Sequence, residues 1–177
     1  MKNNPFTKYA ATAVCVALCV VLPMALHAVP DAGTLLSPMH LPVLLCGLVC
    51  GWPMGLLCGL TGPLLSSLIT GMPPMGYLPA MMIELGIYGL VSGLVMRLIR
   101  TGRLTADLYI SLLAAMLAGR IIAGAARALI FAAGTYSWEA WAAAYFVSGL
   151  PGIILQLFLV PTLYLALHKA RLTPDRD

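Results

Sequence analysis

Three ionisable side chains, Glu84, Arg120 and Arg127, stand inside segments that are otherwise apolar. A charge at the centre of a bilayer costs roughly 2.5–3.5 kcal/mol on insertion scales. Each of the three must therefore face the protein interior and find a partner, or line a pathway. Arg120 and Arg127 are seven positions apart with Gly124 between them. On a helix all three share a face, and the glycine leaves room beside the guanidinium groups. Glu84 and Tyr88 are four apart and share a face of their own. At a rise of about 1.5 Å per residue, Glu84 falls roughly 9 Å below the outer end of its segment. Arg127 falls roughly 6–8 Å below the outer end of its own, and Arg120 near the midplane. Two readings stand. A buried Glu84–Arg120 ion pair locks two helices, or a polar pocket open to the outside presents an arginine to a carboxylate or phosphate. Two arginines against one glutamate favour the second, because an anionic ligand would neutralise the remaining charge.

Other polar residues could join that site. Gln156, mid-depth in the last apolar segment, can donate and accept, toward a ligand or toward a neighbouring helix. His40, between Pro38 and Pro42, either lines the outer mouth or is an ordinary interfacial histidine. Trp138 and Trp141 fit an aromatic belt at the outer surface or a stacking lid. The stretch Thr70-Gly71-Met72-Pro73-Pro74-Met75-Gly76-Tyr77 sets glycine hinges among stiff prolines. That composition suits a gate over a ligand, with Thr70, Gly71, Met72 and Tyr77 as its working residues, or a passive connector. Ala13 and Ala17, four apart, let another helix approach closely, inside this chain or in a partner.

These residues are positioned by a membrane protein. The chain has 177 residues, 61% hydrophobic and only 9% charged, with mean hydropathy +0.96. Soluble domains carry about 25% charged residues. An ordinary soluble enzyme, a disordered tail and a nucleic-acid binder are excluded, and a net charge of +4 is too weak a field to imply a polyanion partner. A span needs about 20 apolar residues. Glycine and proline divide the chain into six spans of one all-α membrane domain over 1–177, at about 9–29, 39–51, 54–70, 78–98, 106–132 and 140–168. The second and third are short and read as a tight hairpin with slanted or re-entrant backbone, tolerated only where protein or water covers it. The first run is longer than the roughly 7–15 apolar residues of a signal peptide, so it is read as a span. With six spans, Lys2, Lys8, Arg97, Arg100, Arg103, Lys169, Arg171 and Arg176 share one side, and the other holds only Asp31 and Glu139. The positive-inside rule puts that basic side, and both termini, in the cytoplasm.

Several chemistries have no footing. There is no G-x-x-x-x-G-K-[ST] loop for ATP and no H-E-x-x-H zinc motif. Ser66, Ser67 and His40 lack a nucleophile-elbow context. Cys15, Cys19, Cys46, Cys50 and Cys58 lie in apolar runs and read as small packing residues, with no disulfide framework and no metal set among them.

The stretches Ser37-Pro38-Met39-His40-Leu41-Pro42-Val43-Leu44-Leu45-Cys46-Gly47 and Gly62-Pro63-Leu64-Leu65-Ser66-Ser67-Leu68-Ile69-Thr70-Gly71-Met72-Pro73-Pro74 carry a resemblance. So do Glu84-Leu85-Gly86-Ile87-Tyr88-Gly89, Ala118-Gly119-Arg120 and Leu150-Pro151-Gly152-Ile153-Ile154-Leu155-Gln156. From Ala13 to His168 the chain resembles the substrate-binding (S) components of energy-coupling-factor vitamin transporters, most closely the group containing pantothenate transporters. The resemblance implies a six-helix bundle without cofactor or enzymatic activity. It would bind a vitamin or related micronutrient near the outer face of a prokaryotic plasma membrane. Its partners would be a transmembrane coupling (T) subunit and two cytoplasmic ABC ATPases. It would deliver the ligand by toppling as a whole body in the membrane. It also implies that an Ala-x-x-x-Ala motif, here Ala13 and Ala17, docks on the coupling subunit. The ligand would sit among the 70–77 loop, Glu84, Tyr88, Arg120, Arg127 and Gln156. Pantothenate is the first substrate expected, and cobalamin or another vitamin or precursor the alternative. A standalone carrier or channel, or a purely structural subunit, would be the rival classes.

Overall fold

In the computed structural model, residues 5–26, 36–128, 139, 141, 143, 147 and 149–173 are described. Trp138, Lys2, Asp31 and Arg176 lie outside them. Six helices are present among the described residues: α1 (Pro5–Leu26), α2 (His40–Cys50), α3 (Trp52–Thr70), α4 (Leu78–Leu98), α5 (Leu104–Ala126) and α6 (Leu150–Lys169). No strand occurs among those residues. All but α2 are long and apolar enough to cross a membrane.

Local chemistry sets the helix ends. α3, α4 and α6 each carry a proline in the first turn, where its missing N–H is no loss and its φ is already helical. This rule explains a difference at α6. The apolar pattern runs from about 140, but the helix begins at Leu150, because Pro151 marks a first turn. Glu139 and Trp141 are helical ahead of that break. α3 ends on Gly71 in the left-handed region (φ 73°), whose N–H bonds to the Ser67 carbonyl, a glycine C-cap. At the base of α5, Asp107 Oδ1 accepts from the Thr101 N–H at 2.9 Å and its hydroxyl at 2.7 Å. A carboxylate in the first turn also complements the helix dipole.

A single residue, Gly51 (φ 92°), turns α2 into α3, a conformation open to glycine and closed to most other residues. The turn folds Gly55 back onto Gly47, and both meet Gly89 of α4. A Cβ placed at Gly55 would lie 2.7 Å from the Gly47 Cα and inside the Gly89 carbonyl. Three backbones thus touch where no side chain fits, the close approach that small residues permit in membranes.

Half of the apolar window of α4 and of α5 is buried (50% each), against 17% of that of α1. Nine of the 11 residues of α2 are buried, so α2 is the most enclosed helix, α4 and α5 follow it, and α1 is the most exposed of the long helices. Leu44, Cys46, Leu85, Tyr88, Leu108, Leu112 and Val160 pack in the core. Leu68, Ile69, Leu117, Ile121, Ile154 and Phe158 are exposed outward, the surface expected of a body solvated by lipid. All five cysteines are buried and free. They occupy the meeting of α1, α2 and α3, where the Cys46 thiol donates to the Met54 carbonyl at 3.5 Å and Cys19 fits against Gly62.

Candidate functional site

The shortness of α2 decides where its first residue lies. Its 11 residues span about 16 Å, while the 19 of α3 span about 28 Å. Both leave the same turn at Gly51, so His40 stops about 12 Å short of the far end of α3. Glu84 lies six positions into α4, Gln156 six into α6 and Arg120 six before the end of α5. Each is then about 9 Å below its helix end. Four polar residues from four helices share one level of the bundle, and all are buried.

Their contacts correct the simplest expectation. Glu84 has its side-chain contact with His40, Nε2 to Oε1 3.5 Å, and not with Arg120. Arg120 Nε instead donates to the Tyr88 hydroxyl at 2.9 Å. Glu84 and Tyr88 share one face of α4. The His40 ring meets the Tyr88 ring edge-on, centroids 5.1 Å apart. A chain of polar contacts thus runs from α2 through α4 to α5.

Two members of this level are incomplete. Among the described residues, neither the nitrogen nor the oxygen of the Gln156 amide has a hydrogen-bond partner, and His40 Nδ1 has none. Gln156 is fully buried, and α6 packs against α2 and α5. Leaving a buried amide unpaired costs about 1–3 kcal/mol by protein mutational data. Ser66 Oγ, near the same end of α3, is a fourth such atom.

Arg127 and Arg120 are separated in role. Arg127, half-buried, follows the last α-helical turn of α5 in a π-helical continuation over 127–128. Its guanidinium lies over the Tyr77 ring, 4.6 Å from the centroid. That cation–π contact ties the end of α5 to the 70–77 loop. The loop is also fixed at its start. Ser67 Oγ donates to the Pro73 carbonyl at 2.8 Å, Thr70 Oγ1 to the Ser66 carbonyl at 2.7 Å, and the Met72 N–H to Thr70 Oγ1 at 3.2 Å. Met72 and Tyr77 are exposed.

From sequence, Trp141 reads as a belt or lid residue. It is buried. Its indole fills the space above Gly124, where a Cβ would collide with it, and its Nε1 donates to the Arg120 carbonyl at 3.3 Å. The room that Gly124 leaves on the arginine face is thus taken by an aromatic plate. The signal was present in the sequence as a glycine on a charged face facing an unplaced tryptophan. Ala13 and Ala17 both lie on the exposed side of α1, beside Val14 and Leu18 and away from the ionisable cluster.

Long apolar helices around a sealed group of ionisable side chains define a multi-pass membrane protein with a polar interior at one end. A profile of the family "ECF transporter, substrate-specific component" matches residues 8–164, and the chain belongs to that family. The family supplies transport subunits, not enzymes. No curated protein and no solved structure gives a match.

Proposed function

We propose that the chain is the substrate-capture subunit of an ATP-driven importer. It takes a small polar vitamin-like anion from outside and releases it inside. The observation that carries the reading is a pair of buried polar groups without partners among the described residues, the Gln156 amide and His40 Nδ1, at a depth similar to that of Glu84 and Arg120 by residue count. A body that only needed to pack would place carbon there. A ligand with its own donors and acceptors gives those atoms partners. Arg120 suits its carboxylate, since a guanidinium presents a rigid fork of donors. Pantothenate, with a carboxylate, an amide and hydroxyls, fits this set and is the proposed substrate.

Membership of the family supports the rest of the proposed assembly. In this reading the chain crosses the membrane six times, α2 being a short crossing completed by the Gly51 turn. The basic ends of the helices and both termini lie in the cytoplasm. A transmembrane coupling subunit docks on the exposed small-residue stripe at Ala13 and Ala17, and two cytoplasmic ATPases drive delivery. Transport proceeds by tilting of the whole body, a reading supported by the lack of a chain of titratable groups across the bundle among the described residues.

The test is mass spectrometry of ligand retained by the purified protein, with titration of pantothenate. The wild-type chain is expected to retain it and the Arg120→Ala/Arg127→Ala variant to bind at least tenfold more weakly. Undiminished retention in the double variant removes the site assignment. Uptake in vesicles lacking the ATPases would instead identify a standalone carrier.

The loop supplies a kinetic check. Tyr77 is half exposed, and a cation–π contact at such a site contributes about 0.5–1 kcal/mol. Tyr77→Ala is expected to speed ligand release about 2–5-fold with little change in stability, as measured by stopped-flow dissociation. An unchanged off-rate makes the 70–77 loop a connector and not a gate.

A further inference from the structure

A second concavity lies at the other end of the bundle, far from the ionisable cluster. It is a cavity of about 560 Å³ where the start of α1, the α2–α3 turn, the end of α4 and the last turns of α6 converge. Lys8, Arg97 and Arg100 line it, and among the described residues no acidic side chain does. Lys8 is half-buried, and the two arginines are exposed. Tyr9, Trp52 and Tyr164 share the lining, residue types that settle at the headgroup level of a bilayer. Leu48 and Met96, both buried, add apolar surface.

We infer that this cavity holds the headgroup of an anionic phospholipid. Three cations with no acid among the lining residues demand an anion, and two arginines can grip phosphate oxygens with paired N–H groups. A soluble anion would have no use for the aromatic and aliphatic part of the lining. An amphiphile uses both: phosphate at Lys8, Arg97 and Arg100, and glycerol and the first acyl carbons against Trp52, Leu48 and Met96. The location supports it, since α1 begins, and α4 and α6 end, at this level, where headgroups lie. Basic pockets between membrane helices are a recurring form of such sites. A bound lipid would join α1, the most exposed helix, to α4 and α6.

The full chain, purified in a neutral detergent, is to be examined by native mass spectrometry and thermal unfolding. Phosphatidylglycerol, phosphatidylcholine and inorganic phosphate serve as probes. Phosphatidylglycerol is expected to stay bound at least tenfold more than phosphatidylcholine and to raise the unfolding temperature. Arg97→Gln/Arg100→Gln should abolish that preference, and Arg103→Gln, outside the lining, should keep it. Equal retention of the two lipids overturns the inference, as does a preference that survives the double variant. Protection by inorganic phosphate equal to that by phosphatidylglycerol assigns the cavity to a soluble anion and overturns the lipid. If the double variant fails to fold, Lys8→Gln and the wild-type lipid preference decide.

Discussion

Replacing Gln156 by leucine is expected to stabilise the ligand-free protein and, in the same molecule, to weaken ligand binding. The two side chains are close in volume, and the site is fully buried, so packing changes little. What changes is the amide, whose two polar atoms lack partners among the described residues. Removing that penalty is worth about 1–3 kcal/mol, a rise of roughly 2–12 °C in unfolding temperature for a protein of this size. With ligand present the sign reverses. The leucine cannot answer the ligand's donor or acceptor, and an unmet group in a dry site weakens binding about 10–100-fold. Thermal unfolding without ligand and calorimetric titration with pantothenate read the two halves. If the amide were a structural bond between helices, leucine would lower the unfolding temperature. If it sat away from the ligand, leucine would leave affinity alone. Only a residue held for binding at the expense of stability gives the crossed result.

That residue was legible in the sequence as polar and deep, but the state of its partners was not. The same limit holds elsewhere. Tyr77-Leu78-Pro79 announces the start of α4, because proline in a first turn is a local rule. The charge-free stretch from Ala32 to Ile83 divides at its glycines and prolines for the same reason. What could not be read were matches between segments. His40 meets Glu84 because α2 is shorter than α3 by eight residues (19 against 11), and nothing near His40 records that. Trp141 fills Gly124 from beyond α5. The basic cavity is assembled from four separate places in the chain, each an ordinary basic or aromatic flank. The glycines were a different kind of omission. Gly47-x-x-x-Gly51, Gly55-x-x-x-Gly59 and Gly89-x-x-x-Gly93 repeat the small-residue spacing noted at Ala13 and Ala17. In the α2–α3 region glycine was weighed as a breaker, whereas there it chiefly brings backbones together.

The larger structural effect is therefore expected at Gly89. A Cβ built there falls on the Gly55 carbonyl and 2.9 Å from the Gly55 Cα. These are backbone atoms of a neighbouring helix, so no rotamer change relieves the collision, and α3 and α4 must part. Overpacking of a tight core costs about 1–3 kcal/mol when side chains can yield. Here they cannot, so Gly89→Val is expected at or beyond the upper end, about 3 kcal/mol or more. The unfolding temperature should fall by roughly 6–12 °C, or the protein should fail to leave the membrane as a single species on size-exclusion chromatography. Gly76→Ala is the control. It lies in the 70–77 loop, its added methyl meets nothing within 4 Å, and its stability should stay within about 0.5 kcal/mol of wild type. Binding should follow the same contrast. Gly89 is the neighbour of Tyr88 and lies little more than one turn below Glu84, so moving α4 off α3 shifts both ends of the contacts to Arg120 and His40. A Gly89→Val protein that kept its unfolding temperature and its ligand would show that the three-helix glycine contact does not set the position of the polar level above it.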